Sequence, residues 1–337
     1  MRHLRNYSLL QHNTFGIPAR CRQFVEYSSK QEAVMTASLL REDRAPFLII
    51  GGGSNLLLTG DFEGTAVHSA IRGISLTEHE GEGLLRCGSG ETWDDVVRWT
   101  AAMGFYDMVN LSLIPGDVGA SAVQNIGAYG AEACQLIHEV QAVETATGRT
   151  LLIPTADCHY AYRDSRFKHE WKDRFLITHV TYRLHRDTPM NLEYGNIRPE
   201  LERRGIDSPT PLQLRETIIG IRRSKLPDPQ VTGNAGSFFM NPIVDRNTFG
   251  RLAGEHPQMP HYYMDEHHEK IPAAWLIDQC GWKGRSMGRA AVHDRQALVL
   301  VNRSGASGKE IVALCEAIRQ DVRRKFGIDL QPEVNIV

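Results

Sequence analysis

The alternation of apolar and polar residues along the chain predicts a protein in which strands and helices are mixed. Short apolar runs and period-two alternation both favour strands, because successive side chains of a strand point to opposite faces. The strands predicted in this way cover residues 46–50, 84–87, 136–145, 150–153, 175–184 and 297–301. The middle third of the chain is therefore rich in strands.

Helices are predicted where apolar residues recur every three or four positions after a capping signal. The pairs Ser29-x-x-Glu32 and Ser307-x-x-Glu310 have the sequence of a capping box. The helices predicted from caps, apolar stripes and stop signals begin after Ser29, cover 93–103, 210–223 and 273–279, and run from Ser307 to Gly327. Together with the strands they indicate an α+β fold.

Length and composition bound the number of domains and the class of protein. A chain of 337 residues is long enough for about two or three domains. It is 42% apolar and 23% charged, and its net charge of −2 gives no general attraction to nucleic acid or anionic membranes. The first sixteen residues lack the apolar core of a signal peptide, and no apolar run could cross a bilayer, so we expect a cytoplasmic protein.

The cysteines and histidines do not have the spacing of a metal site. The six cysteines are scattered without a CxxC pair, which predicts reduced thiols and neither a disulfide framework nor a zinc site. The sequence DEHHE at 265–269 resembles a metal-binding cluster but is too compact for tetrahedral ligation, so we expect a solvated loop there. We therefore predict that the protein holds no metal.

A glycine-rich segment, GGGSN at 51–55, follows the apolar strand at 46–50 directly. A dinucleotide fingerprint would need GxGxxG opening a helix, whereas the apolar run at 56–58 favours another strand. The segment could instead offer backbone N–H groups to phosphate without a helix. The alternative is a plain tight turn.

A second set of small residues, at 114–121 and 124–130, combines glycines with amide side chains. Such a set is unusual in a plain core, and it suggests a long ligand that passes the backbone at two places. We predict loops here. The rigid sequence LPDP at 226–229 indicates a domain boundary.

Several polar residues are candidates for chemistry, each with a structural alternative. Ser237 lies in GNAGSFFMNP, which also fits a turn whose serine is only solvated. Arg163 could offer a guanidinium fork to a carboxylate or phosphate, or form a surface ion pair. The basic residues 222–225 complement a helix C-terminus and could also meet phosphates. Glu333 is predicted on a strand that returns to an earlier domain, or simply exposed.

The motifs GGGSN, IPG, QNIGAYG, YRDS, KLPDP, GNAGSFFMNP and the terminal PEV occur in this order over nearly the whole chain. This ordered set resembles the UDP-N-acetylenolpyruvoylglucosamine reductases, in their longer subclass. The resemblance implies two small FAD-binding subdomains of the vanillyl-alcohol-oxidase type and a substrate-binding domain. They would be residues 1–75 with the C-terminal strand 330–337, residues 76–225, and residues 226–329.

The resemblance also implies roles for individual residues. The catalytic residues would be Ser237, Arg163 and Glu333, and the substrate would meet Tyr194, Lys225, Asn241 and Gln296. The FAD-binding residues would be Gly51, Gly52, Gly53, Ser54, Asn55, Leu56, Pro115, Gly116, Gly119, Ala120, Ser121, Gln124, Asn125, Gly127, Ala128, Tyr129 and Gly130.

The reaction implied is the NADPH-dependent reduction of the enolpyruvyl nucleotide sugar, with FAD as the cofactor. Separately, we expect the protein to be a monomer. Arg163 would stabilise negative charge on the substrate carboxylate, and Ser237 would donate a proton. Asp117 stands where the family usually has a small uncharged residue, and we expect its side chain to point outward, away from the flavin. A flavin-dependent alcohol oxidase and a non-catalytic flavin- or nucleotide-binding module are the alternatives.

Overall fold

The computed structural model describes residues 1–337 and has eight α-helices and twenty strands. The helices are α1 Lys30–Asp43, α2 Trp93–Ala102, α3 Val118–Gln124, α4 Ile197–Arg203, α5 Pro211–Lys225, α6 Arg246–Glu255, α7 Ala273–Gln279 and α8 Gly308–Phe326. The strands are β1 Arg2–Ser8, β2 Arg20–Tyr27, β3 Phe47–Ile50, β4 Leu56–Leu57, β5 Phe62–Ser69, β6 Ile74–His79, β7 Glu82–Gly88, β8 Gly127–Ala128, β9 Ala131–Glu132, β10 Ile137–Glu144, β11 Thr150–Pro154, β12 Phe175–His185, β13 Gly233–Ser237, β14 Ile243–Asp245, β15 Tyr262–Tyr263, β16 His268–Lys270, β17 Ser286–Met287, β18 Ala290–Val292, β19 Val299–Asn302 and β20 Asn335–Ile336.

The chain forms two compact units. The first consists of Met1–Ser8, Arg20–Gly52 and Phe62–Ser224; the second consists of Leu9–Ala19, Gly53–Asp61 and Lys225–Val337. Contacts within the first unit do not separate the subdomains expected at 1–75 and 76–225, so that division stays a prediction.

The first unit contains two sheets with α1 between their apolar faces. One sheet has the order β1-β2-β5-β3, with β2 and β3 parallel to β5, and the other is antiparallel with the order β11-β10-β12-β7-β6. Ala33 and Ala37 of α1 lie in one buried cluster with Val67 of the first sheet and Leu176 of the second. The apolar stripe of this helix therefore joins the two sheets.

The second unit is built on the antiparallel sheet β13-β19-β18-β17, and α7 and α8 contribute to its core. The stripe on α8 that includes Ile311, Leu314 and Ile318 is fully buried there. The chain ends beside β4, since β20 pairs with β4 in parallel and Thr59 N donates to Val337 O at 2.7 Å. The C-terminal tail is thereby fixed within this unit.

The strands and helices predicted from the pattern are present, and two segments expected as loops need correction. The strands and helices predicted above all occur, with ends shifted by one or two residues at several places. The small-residue segment expected to form loops contains α3, and the compact acidic and histidine segment expected as a loop ends in β16. No helix is both long and apolar enough to span a membrane, and no group of three or more His, Cys, Asp or Glu residues could hold a metal ion.

Candidate active site

The segment 51–55 is a turn between two strands, as the sequence predicts. It leaves β3 at Ile50 and enters β4 at Leu56, so no helix follows it. The backbone N–H groups of Gly51 and Gly52 donate to no acceptor of the chain. Consecutive amides without protein acceptors suit a phosphate group, so the donor chemistry of this segment fits a dinucleotide cofactor.

Glycine is required in this segment by close packing as well as by backbone angles. Gly53 has φ +65°, and a Cβ at that position would lie 2.0 Å from the carbonyl oxygen of His12, within the second unit. A Cβ on Gly52 would lie 3.0 Å from Cα of Gly116, within the first unit. The first and second glycine-rich segments therefore touch backbone to backbone, which side chains would prevent.

The second glycine-rich segment uses its amides internally. Val118 N donates to Glu91 O and Gly119 N donates to Ser89 O, both at 2.9 Å. These two groups are therefore not available to a ligand, and any contribution of Gly119 to binding would come from the close approach of its backbone.

Two predicted FAD-binding residues have their side chains committed to the interior of the first unit. The Ser121 hydroxyl, fully buried, donates to Val118 O at 2.7 Å and shares a 2.8 Å hydrogen bond with the Tyr182 hydroxyl. Asn125 donates to Glu132 Oε2 and Ala161 O, both at 2.8 Å. Direct contacts from these side chains to FAD are therefore not supported, because both already satisfy internal partners.

Tyr194 lies beside the QNIGAYG segment. A Cβ on Gly130 would be 3.3 Å from Cδ2 of Tyr194, and a Cβ on Gly195 would be 3.3 Å from Cε1 of Tyr129. The first unit thus brings the predicted substrate residue Tyr194 to the last residues of the predicted FAD segment. Burial, opposed by the charge of Arg222, raises the pKa of Tyr129, so the phenol stays neutral at physiological pH.

Arg163 is held over the same segment by its backbone and by its side chain. Its φ is +55°, a left-handed angle that few residues with side chains adopt. Its Nη2 donates to Gly127 O at 2.6 Å, and its guanidinium lies 5.2 Å from the centroid of the Tyr162 ring. The guanidinium is therefore positioned by the chain and does not have the freedom of a surface side chain.

Arg222, predicted above to complement a helix C-terminus or to meet phosphates, has a buried environment that the sequence did not reveal. Its Nε is buried and has no hydrogen-bond partner, while its Nη2 donates to Leu113 O at 3.3 Å. Burial lowers the pKa of Arg222; Tyr129 and Asp94 oppose that shift, and Arg163 adds to it. A buried donor without an acceptor, close enough to feel a second guanidinium, suits an anionic ligand.

Ser237 ends β13 in the second unit, and its side chain is exposed. The next two residues, Phe238 and Phe239, are buried in the core, with ring centroids 5.3 Å apart. Phe238 N donates to Leu298 O at 2.7 Å. The serine is therefore carried on a rigid strand end and is not part of a flexible turn.

The C-terminal tail runs alongside this strand end. Glu333 N donates to Phe238 O at 2.8 Å, and Asn55 Nδ2 donates to Glu333 O at 3.1 Å. Glu333 precedes β20 and does not lie within it, so the strand predicted to carry it begins two residues later. The second unit nevertheless brings Ser237, Glu333 and Asn55 to one place.

The remaining predicted substrate residues also lie in the second unit. The backbone carbonyl of Gln296 accepts from Val299 N at 3.1 Å, and Val299 pairs with Ser237 in the sheet. Asn241 Oδ1 accepts from Ala273 N at 2.9 Å, at the start of α7. Lys225 is the exposed last residue of α5. Gln296 therefore lies near Ser237, whereas the Asn241 side chain accepts a hydrogen bond at the start of α7.

The side chain of Asp117 does not point outward. Its carboxylate is only 15% exposed and lies 3.5 Å from Nε2 of His68. A Cβ on Gly52 would be 3.3 Å from its Oδ1 and a Cβ on Gly51 3.5 Å from its Oδ2. The expected orientation is corrected accordingly, because an ion pair with the half-buried His68 holds the carboxylate near the first glycine-rich segment.

Comparison with known proteins identifies the fold and the family of the chain. A family model described as FAD binding domain matches residues 21–153, and one described as UDP-N-acetylenolpyruvoylglucosamine reductase, C-terminal domain, matches residues 228–337. These matches confirm the predicted fold class.

Curated relatives extend the match over the whole chain. UDP-N-acetylenolpyruvoylglucosamine reductase from Bacteroides fragilis (strain YCH46) is 50% identical over 336 residues, with 99% of each chain covered. The protein of the same name from Paraburkholderia phymatum is 44% identical, with 98% of this chain and 96% of the relative covered. A crystal structure of UDP-N-acetylenolpyruvylglucosamine reductase from Thermus caldophilus has the same fold, with a TM-score of 0.67 at 19% identity and coverage of 99% and 98%. The chain belongs to the UDP-N-acetylenolpyruvoylglucosamine reductase family.

Proposed function

We propose that this protein reduces the enolpyruvyl group of UDP-N-acetyl-3-O-(1-carboxyvinyl)-glucosamine to give UDP-N-acetylmuramate, a precursor of peptidoglycan, with NADPH as reductant. The family membership supports the reaction. The observation that carries the assignment of residues is the hydrogen bond from Glu333 N to Phe238 O, which sets the tail carboxylate segment beside Ser237.

The cofactor is FAD, which when bound supplies the hydride-transfer chemistry that links NADPH to the enolpyruvyl double bond. Gly51 and Gly52 would hold its diphosphate through their amides, and Gly116 would allow the second segment to approach closely. The other residues of 51–56 and 115–130 predicted above would line it, except that Ser121 and Asn125 would do so through their backbone only.

Arg163 and Arg222 would bind the negative charge of the substrate. Addition of hydride to an enol ether conjugated to a carboxylate places negative charge on the adjacent carbon and the carboxylate. A guanidinium fixed by the chain can stabilise that charge by donating a bidentate hydrogen bond to the carboxylate, without having to reorganise. Arg163 is held in this way by Gly127, and the unpartnered Nε of Arg222 offers a further donor.

Ser237 would deliver the proton that completes the reduction. A serine hydroxyl is a weak acid in water, but a carbon that carries enolate charge is a strong base, so a hydroxyl held within reach suffices. The strand end and the two buried phenylalanines hold the backbone that carries the hydroxyl. Glu333 would act as a protonated donor, or by orienting Arg163 or a water.

Tyr194 and Lys225 would meet the diphosphate of the nucleotide sugar, and Gln296 and Asn241 the rest of the substrate. The proximity of Tyr194 to Gly130 supports the role of Tyr194, and the proximity of Gln296 to the strand of Ser237 supports the role of Gln296. The division into two FAD-binding subdomains and a substrate-binding domain, a monomeric state and a cytoplasmic location stay predictions.

Anaerobic titration of the purified protein tests the function. The protein should be yellow, NADPH should bleach it, and addition of the enolpyruvyl nucleotide sugar should restore the colour with one equivalent of UDP-N-acetylmuramate formed. Bleached protein that stays colourless with the sugar but reoxidises with oxygen would contradict the proposal. NADPH-independent bleaching by an alcohol would indicate an alcohol oxidase, and a protein that never turns over would indicate a binding module.

A further inference from the structure

The Asp117 carboxylate lies where a diphosphate-binding segment would be expected to exclude negative charge. Its two oxygens lie where Cβ atoms on Gly51 and Gly52 would meet them, next to amides that donate to no acceptor of the chain. Asp117 is also the residue that precedes α3, yet its side chain does not cap that helix. A carboxylate in this position is free of its usual helix-capping role.

His68 is the partner that compensates this carboxylate. His68 lies on β5, and its ring is held from two sides, by Asp117 Oδ2 at 3.5 Å and by Glu26 Oε2 at 3.1 Å. Burial lowers the pKa of His68, but Asp117 and then Glu26 outweigh it, so the pKa lies above the ordinary value of 6.5. Imidazolium with a carboxylate on each ring nitrogen is thereby favoured.

The charges around His68 balance only while its ring is protonated. Glu26 on β2 is paired with Arg2 on β1 at 2.9 Å, and the ring of Phe24 on β2 lies 6.4 Å from that of His68. Ile50 of β3, which pairs with His68 in the sheet, carries no charge. Arg2 thus neutralises Glu26, and the imidazolium neutralises Asp117, whereas a neutral imidazole leaves one negative charge beside Gly51 and Gly52.

We propose that Asp117 and His68 form a charge-compensated pair behind the glycine-rich segment, and that the protonation of His68 sets the affinity of the protein for the diphosphate of FAD. This inference rests on the proposed function, in which that segment holds the cofactor. The diphosphate is itself anionic, so its binding favours the imidazolium and takes up a proton when the free protein is deprotonated.

The sign of the pH dependence follows. Below the pKa of His68 the pair is neutral and affinity is full. As the pH rises through that pKa, the uncompensated Asp117 charge repels the diphosphate, and affinity falls. One unit charge at this range should change the dissociation constant on the order of tenfold.

Equilibrium dialysis of the full-length holoenzyme against graded free FAD tests the proposal. The fraction of flavin retained would be measured at about pH 6 and about pH 9, which bracket the titration of a histidine whose pKa is raised. The wild type should bind more weakly at the higher pH. Asp117→Asn should bind equally at both and more tightly than wild type at the higher pH, and His68→Asn should bind weakly at both.

Asp95→Asn is the matched control, since it removes one negative charge from an exposed residue of α2 and should keep the wild-type slope. Asp117→Ser serves as a second neutral variant if Asp117→Asn does not fold. The proposal would be overturned if FAD affinity fell with pH in Asp117→Asn and Asp117→Ser as it does in the wild type. It would also be overturned if these two variants bound FAD more weakly than the wild type at the higher pH. The measurement contains no sugar substrate, so protein that shows the expected retention of FAD but is not reoxidised by the sugar would overturn the proposed function alone.

Discussion

Phe238 and Glu333, 95 residues apart in the sequence, are joined by a 2.8 Å hydrogen bond from the amide of Glu333 to the carbonyl oxygen of Phe238. Phe238 follows Ser237 directly and is fully buried, so the bond fixes the C-terminal tail to the one strand end that presents the serine hydroxyl. Because the strand end of Ser237 and the tail that carries Glu333 are held in this way, their backbones have little conformational entropy to lose when a substrate binds.

Replacement of Ser237 by alanine should separate the two halves of the reaction. We expect Ser237→Ala to leave bleaching by NADPH at the wild-type rate, since no proton from the serine is needed there. Recovery of the colour with the enolpyruvyl sugar should slow on the order of 10²–10⁴-fold. Stopped-flow absorbance of the flavin, recorded separately for the two half-reactions, measures both.

Ser304→Ala is the control for this variant, because Ser304 is an exposed serine of the same unit, in the loop that follows β19. It should match the wild type in both half-reactions. Unimpaired reoxidation of Ser237→Ala by the sugar would rule out the serine as the proton donor.

The sequence predicted the elements whose signals are local. The capping box at Ser307 is complete, because Ser307 Oγ accepts from Glu310 N and Glu310 Oε2 accepts from Ser307 N. At Ser29 the same motif is only half realised, since Glu32 bonds to Ser28 N instead. Both helices begin where predicted, because a single side-chain cap is enough to define the start of a helix.

The positions missed were decided by tertiary contacts that leave no local signal. The segment that contains α3 looks like a loop in sequence because Gly119 is a poor helix former, yet packing against Ser89 holds it helical. Asp117 turns toward a histidine 49 residues earlier in the chain, and nothing in its own segment indicates this. Ionic partners distant in sequence cannot be inferred from period or propensity.

The candidate site divides in the same way. The motifs identified Ser237, Arg163 and Glu333, while the orphaned Nε of Arg222 became visible only from the burial of that atom. The helix dipole is a sufficient local explanation for a basic residue in the last turn of a helix, so the sequence could not decide between that role and binding of an anion.

Arg163→Lys tests whether the planar fork is needed or only the positive charge. Lysine keeps the charge but cannot reproduce the hydrogen bond from Nη2 to Gly127 O together with a bidentate contact to a carboxylate. We expect kcat/KM for the enolpyruvyl sugar to fall about 10²–10³-fold, with the rate of flavin reduction by NADPH unchanged. Steady-state kinetics with each substrate varied in turn, and single-turnover reduction by NADPH, measure the two quantities.

Arg149→Lys provides the matched change at an exposed arginine of the first unit and should leave both rates at the wild-type level. If Arg163→Lys reduces the sugar as fast as wild type, the guanidinium is not required at the substrate carboxylate. A parallel loss in flavin reduction would instead mean that the substitution disturbs the FAD segment at Gly127.

Gly308 should be irreplaceable for a steric reason that a matched glycine does not share. It is the first residue of α8, where alanine would ordinarily stabilise a helix, but a Cβ there would lie 1.9 Å from Leu58 O and must push the helix away from the strand segment. We expect Gly308→Ala to lower the free energy of unfolding by about 1–3 kcal/mol. Gly250→Ala in α6, where a Cβ meets nothing within 4 Å, should raise it by about 0.5–1 kcal/mol. Thermal unfolding of the two holoenzyme variants at equal FAD measures the difference, and a midpoint for Gly308→Ala at or above that of Gly250→Ala would show that α8 yields to the side chain without cost.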